Sequence, residues 1–137
     1  MIVSFSPSHL REMAPTPDAA AVIEMPGVAE ALERTGSKTL LSPAGEVLGV
    51  IGFVPLVPGV CEVFILATHT QRRYPVAFAR AVRAELFTLK NKYRRIQSIA
   101  KCEQFYFRWL TWLGFKPEGI MSKYGPNGED MALWALV

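Results

Sequence analysis

Residues Val60–Ala100 read VCEVFILATHTQRRYPVAFARAVRAELFTLKNKYRRIQSIA, and the order of patterns within them decides the fold class. Val60 to Thr68 is nearly continuous in apolar and β-branched residues, the pattern of a strand buried on both faces. Pro75 suits the first position of a helix. Phe78, Val82, Leu86 and Leu89 then recur at helical spacing, with Arg80, Arg83 and Lys90 off that stripe. Arg95 to Ala100 alternates like a strand. Strand, helix and strand in succession call for a parallel pair joined by a right-handed crossover.

Towards the N-terminus, Glu46 to Val54 is an apolar strand interrupted by Gly49 and Gly52, followed by a turn over Pro55–Gly59. The turn Ser42-Pro43-Ala44-Gly45 separates it from a short strand, Lys38–Leu41. The Pro-rich first third reads as three short helices. One starts at Ser6-Pro7, one is capped by Asp18 ahead of Ala19–Met25, and one begins at Pro26-Gly27 and ends near Gly36. Towards the C-terminus, Glu103–Leu113 is a helix closed by Gly114. Phe115–Lys123 and Glu129–Val137 are strands, and the turn Tyr124–Gly128 between them carries the Asn-Gly hairpin signal. No internal repeat or linker interrupts the order. The expectation is one α/β domain over residues 1–137, a mixed, mainly antiparallel sheet of six or seven strands with helices on both faces.

The bulk composition excludes more than it assigns. Hydrophobic residues are 50% of the 137 and charged residues 20%, which fits a packed domain rather than a disordered chain. The longest apolar run, between Glu46 and Glu62, contains Pro55 and Pro58 and falls short of the ~18 residues of a membrane span. Met1–Arg11 lacks a basic start followed by an apolar stretch, so no secretory signal is expected. Cys61 and Cys102 stand far apart, which argues against a zinc site or a disulfide framework and for a reducing, cytoplasmic setting. With two His and two Cys, no metal centre is expected.

Charge is unevenly spread. Arg72–Arg95 holds eight basic residues and one acid, Glu85, for +7; the remaining seven basic and eleven acidic residues make −4. Such a stretch is either a solvated helix face or a site for a polyanion, a phosphate-bearing cofactor or nucleic acid. Nucleophile-elbow, zincin and dinucleotide-fingerprint motifs are absent. Gly36-Ser37-Lys38-Thr39 lacks the Gly-Lys-Ser/Thr order of a phosphate loop.

At Thr68–Ala77 a strand ends and a helix begins. Unbonded N–H groups and the positive end of the helix dipole gather at such a junction, and Arg72 and Arg73 add charge beside it. That is a ready site for phosphate oxygens. Any strand-to-helix turn shares the first of these features. Downstream, Trp109-Leu110-Thr111-Trp112-Leu113-Gly114-Phe115-Lys116-Pro117-Glu118-Gly119 precedes the last two strands. This arrangement resembles the GNAT superfamily of acyl-CoA-dependent N-acyltransferases, in which a helix ends in Leu-Gly-Phe, then a spacer and Gly. Leu113-Gly114-Phe115 and Gly119 match. The family's Arg/Gln-x-x-Gly-x-Gly/Ala loop corresponds to Arg72-x-x-Pro75-x-Ala77, and the element order agrees from about residue 38 onward.

The resemblance implies that acetyl-CoA, or another acyl-CoA, lies where the Val60–Thr68 and Arg95–Ala100 strands splay. Its pyrophosphate would rest on the loop, Arg72, Arg73, Tyr74, Val76 and Ala77. Its thioester would face Ile65, Leu66 and Ala67, with the amine entering from the other side. Glu62 is the candidate general base, its other reading being a solvated carboxylate at the start of a strand. Two departures bear on this. Pro75 replaces the first loop glycine and removes one N–H donor. Leu110 stands where the family often has the Tyr that protonates the departing thiolate, which leaves Tyr106, Cys102 or Ser98 as substitutes.

A second resemblance covers Leu89–Val137, which is similar to the small internal virion protein of short-tailed bacteriophages. It rests on Lys92-Tyr93, Phe105, Trp109-Leu110, Gly114, Gly128 and Trp134. It implies a non-catalytic GNAT-like virion or assembly protein, working through a protein partner or a second copy in the host cytoplasm or the virion. Phe105, Tyr106, Phe107, Trp109 and Trp112 cover more than one face of a helix. They fit core packing on one side with exposure on the other, then a protein contact surface, then base stacking beside Lys90–Arg95.

Overall fold

The computed structural model describes residues 1–137. Seven strands form one sheet: β1 (Ile2–Ser4), β2 (Lys38–Leu41), β3 (Val47–Val57), β4 (Val60–Ala67), β5 (Arg95–Lys101), β6 (Lys116–Met121) and β7 (Met131–Leu136). Their order is β1-β2-β3-β4-β5-β7-β6. The helices are α1 (Pro7–Glu12), α2 (Pro17–Ile23), α3 (Val28–Arg34), α4 (Pro75–Lys90) and α5 (Gln104–Trp112). The pair β4 and β5, separated by α4, is parallel, as the strand–helix–strand pattern requires. The pairs β1–β2, β2–β3, β5–β7 and β6–β7 are antiparallel. The α/β class, the mixed sheet and the strand number are those expected. The chain divides into two compact units, Met1–Val54 with Val63–Phe87, and Pro55–Glu62 with Thr88–Val137.

In the first unit the helix starts follow from local chemistry. Ser6 is extended and Pro7 opens α1; the Ser6 N–H donates to Nδ1 of His9 at 3.0 Å. That nitrogen also lies 2.8 Å from Oγ1 of Thr39, so His9 is a structural residue tying α1 to β2. Thr16, not Asp18, caps α2, accepting from the Ala19 N–H at 3.4 Å. Asp18 lies inside the first turn, where its charge suits the helix dipole. Gly27, at φ 80°, supplies the left-handed start of α3.

The strand buried on both faces is β3 rather than β4. Val47 to Gly52 are all buried, whereas along β4 the buried residues are Cys61, Val63 and Leu66, with half-buried residues between. Side chains alternate across a strand, so β3 has one face towards each helix set. Val50 belongs to the cluster with Ala19 of α2 and Leu32 of α3. A Cβ on Gly49 would lie 3.3 Å from Phe78 of α4. On the α3 side, a Cβ at Gly52 would stand 2.3 Å from the Phe64 ring, so that ring occupies the space of the missing side chain.

Other boundaries move for tertiary reasons. β3 runs through Pro55 to Val57, and the turn shrinks to Pro58-Gly59, with Gly59 at φ 84°. β1 is stabilised by pairing with β2, Ile2 opposite Leu40, and has no pattern of its own to betray it. In the second unit the β6–β7 connection is longer than an Asn-Gly hairpin. It spans Ser122 to Asp130, with the Lys123 N–H donating to Oδ1 of Asp130 and the Asn127 N–H to Oε2 of Glu129, both at 2.9 Å. Those carboxylates organise a wide loop that a two-residue turn could not accommodate.

Candidate functional site

In the first unit, β4 leads through a 3-10 turn, Thr70–Arg73, into α4. Thr68 anchors the passage. It is fully buried, and its Oγ1 donates to the Leu48 carbonyl at 2.8 Å while accepting from the Gln71 N–H at 3.3 Å. The segment between α1 and α2 binds the same stretch. The Thr16 N–H donates to Ala67 O and the His69 N–H to Ala14 O, each at 3.0 Å, and Pro15 bridges Thr68.

The loop spends several of its own donors. The Arg72 N–H donates to His69 O at 3.3 Å and the Tyr74 N–H to Gln71 O at 3.0 Å. Pro75 has no N–H. The Tyr74 carbonyl accepts from the Phe78 N–H at 2.9 Å and so begins the α4 ladder. Val76 and Ala77, both exposed, hold the first-turn positions whose N–H groups have no intrahelical acceptor. The backbone N–H groups left without an acceptor therefore narrow to those of two residues at the positive end of a sixteen-residue helix. Its side-chain charge is divided. Arg73 donates to Oε2 of Glu46 at 2.6 Å, and the Tyr74 hydroxyl donates to Oε1 of the same carboxylate at 3.3 Å. Arg72 is exposed and carries no such pair. Ile65 and Ala67 are half-buried at the end of β4, and Leu66 is committed to the core cluster.

In the second unit, Glu62 stands on β4 directly opposite Gln97 of β5. Its Oε1 accepts from Nε2 of Gln97 at 3.2 Å. Oε1 of Gln97 accepts from Nε of Arg95 at 3.1 Å. The Arg95 guanidinium closes a bidentate pair on Glu118 of β6 at 2.6 and 3.0 Å. That contact holds the Glu118 carboxyl below its ordinary range and the Arg95 guanidinium above its own, the hydrogen bond between them being the main cause. Cys102 is exposed just before α5, and Tyr106 is half-buried one turn into it, its ring 5.1 Å from that of Phe105. Leu110 is buried and offers no proton. Cys61, with its side chain on the opposite face of β4 from Glu62, is fully buried, and burial pushes its thiol up to about 11.

Several of these residues escape a reading of single positions. Glu46 draws Arg73 and Tyr74 together across 27 and 28 positions, with no sequence signal. Arg95 and Gln97 are two apart on a strand and so share a face, which is a legible signal, but Glu118 as their partner is not. The basic stretch is not one patch. Arg73 and Arg95 are paired with carboxylates, Arg94 donates to Pro58 O at 2.7 Å, and Lys90 to Val137 O at 3.3 Å. On α5, Leu110 faces inward and Tyr106 and Trp109 are half-buried, while Phe105, Phe107 and Trp112 are exposed.

No protein-family model matches the chain, and no curated protein does. Solved structures do. An acetyltransferase of the GNAT family from Bacillus anthracis superposes with a TM-score of 0.76 at 18% identity, covering 99% of this chain and 93% of that one. The chain has the GNAT acyltransferase fold. Ard1 from Thermoplasma volcanium matches this GNAT fold equally, with a TM-score of 0.76 at 14% identity over 99% and 95% of the two chains. A spermidine N-acetyltransferase from Vibrio cholerae reaches 0.72 at 13% identity over 100% and 94%. These structures carry the first of the two resemblances, at the level of fold, and nothing in them speaks for a virion protein. No helix is long and apolar enough to cross a membrane.

Proposed function

We propose that this protein is an acyl-CoA-dependent N-acyltransferase. The observation that supports the reading most is the near full-length match to the GNAT fold, with a basic strand-to-helix loop where the resemblance puts the phosphates. The first-turn N–H groups of Val76 and Ala77 fit one phosphate, the exposed Arg72 supplies charge, and Arg73 and Tyr74, held on Glu46, frame the loop. Two outward donors are fewer than a glycine-rich loop offers, so phosphate binding is weaker here but retained. The backbone of Ile65–Ala67 lines the thioester end.

An acyl-CoA supplies the thioester; the remaining work falls to this chain. The amine nitrogen bonds to the acyl carbon as the carbon–sulfur bond breaks. Glu62 takes the proton that the nitrogen sheds, and Tyr106, with Cys102 as the alternative donor, gives one to the departing thiolate. The reading is tested by thermal unfolding with and without millimolar acetyl-CoA. A ligand at 100 times its dissociation constant stabilises by about 2.7 kcal/mol, which raises the midpoint by about 5 °C or more in a domain of this size. Thiol release on adding amines should follow. An unmoved midpoint at millimolar acetyl-CoA overturns the reading.

The exposed rings of Phe105, Phe107 and Trp112 support a second reading, a non-catalytic protein that works through contacts on α5. It predicts no thiol release with any amine and a partner that co-purifies, a phage virion or assembly protein being one such case.

A further inference from the structure

We propose that Gln97 is the positioning residue for Glu62, and that Arg95 and Glu118 fix which end of the Gln97 amide Glu62 meets. The inference rests on the acyltransferase reading, in which Glu62 is the base.

A glutamine amide turned by 180° fits the same space, so its polarity is set by its neighbours. Here one neighbour admits a single answer. Nε of Arg95 is a donor only and stands 3.1 Å from the amide oxygen. With the oxygen so engaged, the NH2 group is turned to Glu62, 3.2 Å from its Oε1. Arg95 cannot turn away in its turn, because Glu118 grips both terminal nitrogens. The chain of contacts runs from β6 through β5 to β4, and each member has one orientation that satisfies both neighbours.

The result is more than a held carboxylate. Gln97 hands Glu62 a neutral donor and keeps the Arg95 cation one amide away. A direct Arg–Glu pair would orient the carboxylate as well, but would also favour its charged form and weaken it as a base. The cation is instead neutralised by Glu118. On this face of the second unit's sheet the charged neighbours are Arg95 and Lys101 on β5 and Lys116 and Glu118 on β6; none of the four is hydrogen-bonded to the Glu62 carboxylate, which accepts from the neutral Gln97. Gln97 thus separates orientation from charge.

The test uses the intact chain with acetyl-CoA and an amine that it turns over. Gln97→Leu should lower kcat about tenfold, a loss of geometry, with KM for acetyl-CoA changed less than twofold. Gln97→Glu keeps the shape but sets a like charge beside Glu62, so the acid limb of the pH–rate profile should move up by about one unit. Arg95→Leu frees the amide to flip and should give a kcat between wild type and Gln97→Leu. An unmoved acid limb in Gln97→Glu, or equal falls in kcat and rises in KM in Gln97→Leu, overturns the proposal and leaves the acyltransferase reading in place. A readout without turnover separates the two. The side-chain NH2 resonances of Gln97 should shift in Glu62→Ala and in Arg95→Leu. Shifted resonances with no turnover of any amine by wild type would overturn the acyltransferase reading, and the positioning role with it, leaving the contacts as a sheet staple. Unshifted resonances would overturn the positioning role alone.

Discussion

The molecule makes the same connection twice, a strand that turns into a helix, and the two junctions are built to opposite ends. Between β4 and α4 the passage is seven residues long, wound into a 3-10 turn, pinned by a buried threonine and flanked by two arginines. Between β5 and α5 it is two residues, Cys102 and Glu103, both exposed. Glu103 occupies the N-cap with no side-chain hydrogen bond, so a carboxylate stands at the positive end of α5. A helix start is therefore not an anion site in itself. The first junction suits the phosphate site proposed for it, because its cap brings no negative charge to the first turn and its one carboxylate, Glu46, is spent on Arg73. The second carries its own counter-charge.

The largest test of that contrast reverses charge at each junction. Arg72→Glu with Arg73→Glu should weaken acetyl-CoA binding about 30- to 100-fold by calorimetry, since a hydrogen bond to a charged group is worth about 1.5–3 kcal/mol. Glu103→Lys should leave the affinity within about twofold. Equal losses would erase the distinction. The next effect is on stability. Thr68→Val removes two buried hydrogen bonds and should cost about 1–3 kcal/mol in denaturant unfolding, whereas Cys102→Ala, at the exposed junction, should cost within about 0.5 kcal/mol.

The two cysteines extend the comparison to pH. Cys61 is neutral in the fold up to about 11, against an ordinary value of 9.0. A group whose folded value is raised contributes stability that is full below the unfolded value and lost as pH climbs through the folded one. Wild type should therefore lose stability between about pH 9 and 11 relative to Cys61→Ala, followed by chemical denaturation at each pH. At neutral pH a thiol reagent should label Cys102 at once and Cys61 only on unfolding. A small effect belongs to Glu46→Ala. The Arg73–Glu46 pair is largely exposed, so stability should change by less than about 1 kcal/mol, while the released guanidinium strengthens acetyl-CoA binding a few-fold.

What was legible in the sequence tracks how local its cause is. The Val60–Ala100 pattern and Pro75 at the start of α4 are settled within a few residues and carried the parallel pair, while Leu113-Gly114-Phe115 and Gly119, equally local, carried the GNAT resemblance. β1, the extension of β3 to Val57 and the burial of β3 on both faces are set by neighbours distant in the chain. The cap of α2 is local, but Thr16 takes that role in place of the more obvious Asp18. For the candidate site, the place of the loop was legible, but its inventory of donors was not. That Arg72 and Tyr74 spend their N–H groups inside the turn depends on a 3-10 path that residue types alone do not dictate. The spacing of Arg95 and Gln97 showed a shared face, yet the carboxylates they join lie 35 positions before Gln97 and 23 after Arg95.

The segment Ala14–Thr16 exchanges two main-chain hydrogen bonds with Ala67 and His69, and this makes the β4–α4 loop part of a larger cooperative opening. Releasing the loop means breaking the Thr16 and His69 amide bonds in the same event. Their hydrogen-exchange rates should be matched and should slow together when a ligand occupies the loop, so that the linker between α1 and α2, distant in sequence, reports binding as faithfully as the loop itself.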